Sequence, residues 1–269
     1  MPELPEIASR TKEIKEHLVG RTIEKIEIIQ PKCLNITPET FEKGVCGAQI
    51  LNATYRGKWI LVSLSSGWLL LNMGMGGELL LTDREHLPAK NVMVIDFSDD
   101  TCLAIHFWWF GYIHFCAPDE LNRHEMTTRL GPNVLDLSQD EFAQRLAAKK
   151  GKLKAFLLDQ QNVAGIGNAY IHDILFLAKL HPNRALQSLT PEEVNHLFYA
   201  THKGLEPSLL KGGAAYEKDL FGNKGGFSSE EILIGYREGT PCPVCATPIL
   251  KIKTGSTSSY ICPSCQPEP

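Results

Sequence analysis

Four cysteines near the C-terminus constrain this chain more than any other feature. Cys242-x2-Cys245 and Cys262-x2-Cys265 are separated by sixteen residues. Two such knuckles place four thiolates around one tetrahedral ion, the pattern of a structural zinc site. Four cysteine ligands leave no open coordination position, so the metal is expected to hold structure and do no chemistry. Between the pairs, "TPILKIKTGSTSSYI" reads as a β-hairpin with its turn at Gly255-Ser256. A module this small has little core of its own. Metal binding therefore supplies much of its folding free energy, on the order of 10–16 kcal/mol in isolated fingers. The other cysteines, Cys33, Cys46, Cys102 and Cys116, are scattered and read as buried thiols in a reducing compartment.

The 269 residues allow one large domain or two ordinary ones, and the net charge of −4 gives no bulk signal for a nucleic-acid partner. Any such case must rest on local patches. The first twenty residues carry charges throughout and lack a signal-peptide apolar segment. No run approaches the roughly 18 apolar residues of a membrane helix, so a cytoplasmic chain with no membrane partner is expected. "EIASRTKEIKEHLVG" reads as an amphipathic helix ending at Gly20, with Ile7, Ile14 and Leu18 on one face. From Thr22 to Cys116 seven short β-rich runs separated by turn residues predict a sandwich or barrel. Helical texture follows, with capping boxes at Ser138/Glu141 and Thr190/Glu193 and two shorter helices over 152–159 and 168–178.

Two further stretches admit more than one reading. In "LLDQQNVAGIGNAY", Gly165 and Gly167 let the backbone approach something closely just before a helix starts, and a phosphate would fit there. Lys149, Lys150, Lys152 and Lys154 form a basic patch upstream; a plain tight turn with a solvated lysine face fits equally well. The glycine-rich segment 212–226 reads as a mobile loop or a linker. At the other end, "MPELPEI" is a good helix start, since Pro and Glu suit a first turn. It is also a potential nucleophile. Removal of Met1 would leave Pro2 with a free secondary amine, partly neutral near pH 7. Such an amine forms an iminium with an aldehyde, and Glu3 beside it could move protons.

Taken in order, "PELPEI", "YRGKWI", "NMGMGGEL", "LLDQQNVAGIGNAY" and the four cysteines resemble the formamidopyrimidine-DNA glycosylase / endonuclease VIII family of base-excision repair enzymes over almost the whole length. The resemblance implies an α+β fold. An N-terminal helix plus β-sandwich domain spans 1–130, a helix–two-turn–helix domain 131–237, and a zinc-finger hairpin 238–269. It implies Pro2 as nucleophile at C1′ of the damaged nucleotide, Glu3 as proton shuttle, and Lys58 as a phosphate contact that assists β-elimination. Glu6 is placed at the active-site edge, with the helix-start reading equally open. Met75 is the residue inserted where the nucleotide is flipped out, against a core alternative. Asn168 opens the second helix of the motif and holds a phosphate, and Lys154 faces the same DNA. One structural Zn2+ completes the set. The expected partner is double-stranded DNA carrying a damaged base or abasic site, bound by a monomer, near the nucleoid in a bacterium.

Three positions depart from the family pattern. Thr257 stands where the hairpin usually carries a phosphate-clamping arginine linked to δ-elimination; it keeps a hydroxyl but loses the charged fork. Lys251 and Lys253 are the nearby candidate charges. Trp108 and Trp109 precede Phe110-Gly111 where relatives carry a basic reader of the opposite base, and an indole stacks without reading a base edge. Strand alternation puts at least one of the two tryptophans in the core. Asn91 replaces a phosphate-contacting histidine. The reading is a glycosylase with β-elimination lyase activity; the alternative is a damaged-DNA or abasic-site binding protein without base excision.

Overall fold

A computed structural model describes residues 1–269. The chain divides into two compact units: Met1–Arg129 with Lys211–Gly226, and Leu130–Leu210 with Phe227–Pro269.

The first unit begins with α1 (Leu4–His17), capped at Leu18 and turned away through Gly20, whose φ of 91° a side chain would resist. Its apolar face, Ile7, Ile14 and Leu18, is fully buried. Eight strands follow, with α2 (Pro38–Val45) between the first two: β1 (Ile23–Ile28), β2 (Ile50–Arg56), β3 (Trp59–Leu64), β4 (Gly67–Asn72), β5 (Glu78–Asp83), β6 (Met93–Phe97), β7 (Thr101–His106) and β8 (Tyr112–Cys116). They form two antiparallel four-stranded sheets, ordered β1-β6-β7-β5 and β2-β3-β4-β8. Side chains of α1 and of both sheets share one apolar core. The alternation of Val, Ile and Leu inward along these strands is what buries it.

The first unit differs from the sequence reading in three ways. β2 is absent from that reading because "ILNATYR" mixes Asn and Thr into the pattern. α2 is absent too, although Thr37-Pro38-Glu39 carries the same start signal as Thr190-Pro191-Glu192, and Thr37 caps the Thr40 N–H. The third difference is the segment 211–226. The sequence groups it with the helical domain, yet it packs on the first unit and sends Leu220 into that core. It is a closed, self-bonded turn. Gly226 N–H donates to Lys211 O at 2.8 Å and Gly225 N–H to Glu217 O at 3.0 Å, while the Asp219 carboxylate accepts from the Phe221 and Asn223 N–H groups. A Cβ on Gly225 would lie 2.3 Å from Gly213 O, so the neck closes only with glycine there.

The second unit holds α3 (Gln139–Ala147), α4 (Leu153–Leu158), α5 (Ile171–Leu177) and α6 (Pro191–Leu210), then the hairpin of β9 (Leu250–Thr254) and β10 (Thr257–Ile261). Both expected capping boxes form: Ser138 with Glu141, and Thr190 with Glu193. Gly204 lets α6 sit against Ile174 of α5; a Cβ would meet the Ile174 side chain at 2.6 Å. The hairpin turns at Gly255-Ser256 as expected, with Gly255 at φ 62° and Thr254 paired to Thr257.

Candidate active site and zinc centre

Pro2 and Glu3 lead directly into α1 and are buried, while Met1 ahead of them is 45% exposed. Glu6, one turn in, has both carboxylate oxygens engaged: Oε2 accepts from Glu3 N–H at 2.8 Å and Oε1 from Ala214 N–H at 3.0 Å. At 2% exposure it faces no solvent. Of the two expected places, active-site edge or helix start, the bonds it makes within α1 are those of the helix start. Glu6 fastens the chain start to the 211–226 turn through these two backbone N–H groups. Arg10 and Glu13 add to the fastening through Gly212 O (3.1 Å) and Leu220 N–H (2.8 Å).

Lys58 sits in the two-residue turn between β2 and β3. Gly57 takes φ 56°, and Asn72 Nδ2 holds Lys58 O at 3.2 Å. This ties the turn to the strand from which the next loop springs. That loop places Met75 against the segment after β7: Met75 N–H donates to Trp109 O and Trp108 N–H to Met75 O, both at 2.8 Å. Glycine is required at the crossing, since a Cβ on Gly74 would stand 2.3 Å from Trp109 O. The result is an apolar tip. Met75 is 42% exposed, and Trp108, Trp109 and Phe110 are 62, 64 and 69% exposed. Both tryptophans lie outside the core. The alternation argument fails because β7 ends at His106 and the chain turns, with Phe110 at φ 59°. Four large apolar side chains left in water together mark a contact surface.

Behind this tip lies a cavity of about 620 Å³, lined by Met1, Met75, Asn91, His106, Trp108 and Glu217 among others. Asn91 turns its Nδ2 inward to Pro88 O at 2.8 Å; its buried Oδ1 has no partner, and neither has His106 Nδ1. Glu217, half-buried on the cavity wall, escapes the sequence reading, and nothing local signals its place there. Its carboxyl is pushed up to about 7, first by burial, against the lowering effect of the N-terminal amine.

In the second unit, Lys154 is 3% exposed. Its Nζ donates to Ser258 O (2.6 Å), Ser259 Oγ (2.9 Å), Thr257 Oγ1 (3.1 Å) and Thr254 Oγ1 (3.3 Å). Burial brings it down to about 8. It does not reach outward as expected, because the hairpin closes over it. Its ammonium nonetheless stands directly behind Thr257, so the charge missing at the arginine position is present one layer below. Lys253 is exposed on β9. Asn168 precedes α5 by three residues instead of opening it, and its Nδ2 donates to Tyr236 Oη at 3.2 Å.

The four cysteine Sγ atoms lie within 4.8 Å of one another, with Cys245–Cys262 at 3.4 Å, Cys245–Cys265 at 3.6 Å and Cys242–Cys265 at 3.9 Å. A tetrahedral zinc–thiolate site has S···S edges of about 3.8 Å. Val244 and Cys265 N–H groups point at the Cys242 and Cys262 sulfurs. The residues fit one structural Zn2+ and leave it no open position.

A sandwich entered through a buried proline, a helical unit and a four-cysteine hairpin together define a zinc-finger protein of three parts. Three family models match in that order: the formamidopyrimidine-DNA glycosylase N-terminal domain over 1–107, its H2TH domain over 130–218, and the zinc finger found in FPG and IleRS over 239–267. The formamidopyrimidine-DNA glycosylase of Chloroflexus aurantiacus is 32% identical over 99% of this chain and 98% of its own length; that of Legionella pneumophila is 33% identical over 99% of each. The Lactococcus lactis Fpg solved with abasic-site DNA superposes with a TM-score of 0.90 at 26% identity, covering 99% of this chain and 100% of that one. MutM (Fpg) from Thermus thermophilus superposes at 0.88 with 29% identity over the full length of both. The chain belongs to the formamidopyrimidine-DNA glycosylase family, whose members are DNA glycosylases with abasic-site lyase activity.

Proposed function

We propose that this chain excises damaged bases from double-stranded DNA and nicks the resulting abasic site through an iminium on Pro2. It would act as a monomer in the cytoplasm. The observation that carries the reading is Pro2 itself, whose nitrogen becomes a secondary amine once Met1 is removed, followed by buried Glu3 and joined to Met1, which lines a cavity large enough for an extruded base. Loss of Met1 exposes that amine; attack at C1′ gives an iminium, and proton removal at C2′ then expels the 3′-phosphate. Glu3 moves protons at the sugar and Lys58, on its turn, meets phosphate. Met75 with Trp108 and Phe110 supplies an apolar wedge that fills the vacated stack. In the second unit Asn168, Thr257 and Lys253 face the backbone, and Lys154 lends charge from beneath Thr257.

Borohydride trapping on abasic-site DNA tests this. A covalent adduct mapped to the Pro2 amine, and absent in Pro2→Gly, is the expected result. Tight binding with no adduct would replace the reading with the binding-only one. A second expectation concerns the nick. Lys154 is pinned by four oxygens and Thr257 carries no fork, so the product should stop at β-elimination. A gel dominated by the doubly eliminated 3′-phosphate product would contradict this.

A further inference from the structure

We propose that Glu217 is the proton acceptor for the N-terminal amine of the processed chain. The inference rests on the lyase reading above. Glu217 and Met1 line the same cavity, and removal of Met1 bares the Pro2 nitrogen, to which Met1 is bonded, toward it. One side chain ties the two segments together. Glu6 holds Glu3 N–H with one oxygen and Ala214 N–H with the other, three residues before Glu217. Gly213 packs on that same side chain, where a Cβ would meet Glu6 Cγ at 3.0 Å. The amine and the carboxyl are thus built on one bracket. No hydrogen bond accounts for the state of the Glu217 carboxyl; burial and charge alone do. A half-buried carboxyl on the wall of the cavity can exchange a proton with a group that enters it.

The charged groups around it are the amine, Glu6, Arg10 and Glu78, the last paired with Lys218 at 3.0 Å. Lys90 and His106 also line the cavity. Burial first, then the balance of these charges, pushes Glu217 up to about 7.

The step balances. The Pro2 ammonium gives one proton to the Glu217 carboxylate. The freed lone pair forms the N–C1′ bond while the C1′–base bond breaks and its electron pair leaves with the base. The Glu217 acid returns the proton to the departing base. The amine's remaining proton passes to O4′ as the sugar ring opens to the iminium. On an abasic site the C1′ hydroxyl takes the base's place and leaves as water.

The test is the trapping rate of full-length, zinc-loaded Glu217→Gln and Glu217→Asp on abasic-site DNA between about pH 6 and 9, the range that spans both groups. Glu217→Gln should trap about 10²-fold more slowly near pH 6.5. The deficit should shrink steadily toward the alkaline end, where solvent deprotonates the amine. Glu217→Asp should fall between the two, and affinity for a stable abasic analogue should not change. Wild-type rates in Glu217→Gln at every pH would overturn the proposal. So would a deficit independent of pH, which marks a packing role. A wild-type chain that binds but never traps would remove the lyase reading first and this one with it.

Discussion

Stripping the metal from the C-terminal hairpin, by chelation or by Cys262→Ser, is expected to melt β9 and β10 and abolish specific binding to abasic-site DNA. The apolar cluster under the hairpin is small: Phe176, Ile234 and Ile249, with Cys242 and Cys262 themselves. It cannot offset the chain entropy of ordering the segment, so a loss on the order of 10 kcal/mol of local folding free energy is anticipated. The damage should spread. All four oxygens on Lys154 Nζ come from the hairpin. Their departure strips Lys154 Nζ of these partners and opens it to water, so α4 loses the contacts that hold its first turn. Hydrogen exchange of metal-free protein is the measurement. Fast exchange over 240–265 and partial exposure of 152–158 are expected; retained protection in the hairpin would show that the metal is dispensable.

Lowering the pH from about 7.5 to 4 is expected to destabilise the sandwich through a buried histidine pair. His114 Nδ1 and His124 Nε2 are 2.8 Å apart, His124 Nδ1 meets Thr127 Oγ1 at 2.9 Å, and Trp59 packs on both rings. Burial, and then the charge of His124, pulls His114 down from 6.5 to about 4; burial also lowers His124. The unfolded chain takes up its protons near 6.5, while the folded one stays neutral until about 4. Stability is therefore level above 6.5, falls as pH drops from there, and levels again below about 4. For His114 alone the loss approaches about 3 kcal/mol, at roughly 1.4 kcal/mol per unit. Urea midpoints across this range should shift accordingly, and His114→Gln, which keeps a hydrogen-bonding group without a titration, should flatten the slope. An unchanged slope in that variant would contradict the assignment.

What could be read from the sequence was whatever depends on local pattern. The cysteine spacing, the capping boxes, the Gly255 turn and the apolar period of α1 each arise within a few residues, and each stands where it was expected. What escaped depends on contacts between distant segments. Lys154 has the look of a surface lysine until β10, about a hundred residues later, folds over it. Glu6 suits a helix start, but its second oxygen waits for Ala214. Trp108 and Trp109 follow a strand pattern that has already stopped at His106. Glu217 carries no local mark at all; its environment is assembled from the N-terminus, the Met75 loop and the 211–226 turn.

That turn has a consequence for how the protein can be taken apart. The chain leaves the first unit after Arg129, returns at Lys211 and leaves again after Gly226. Neither unit is a continuous stretch of sequence. A gene fragment ending at 129 would encode a sandwich with Leu220 missing from its core and with Glu6 and Glu13 each short of a backbone partner. An exchange of the helical unit between relatives would need three junctions placed together, two of them flanking the neck where Gly225 meets Gly213. The architecture can be inherited whole far more readily than it can be shuffled.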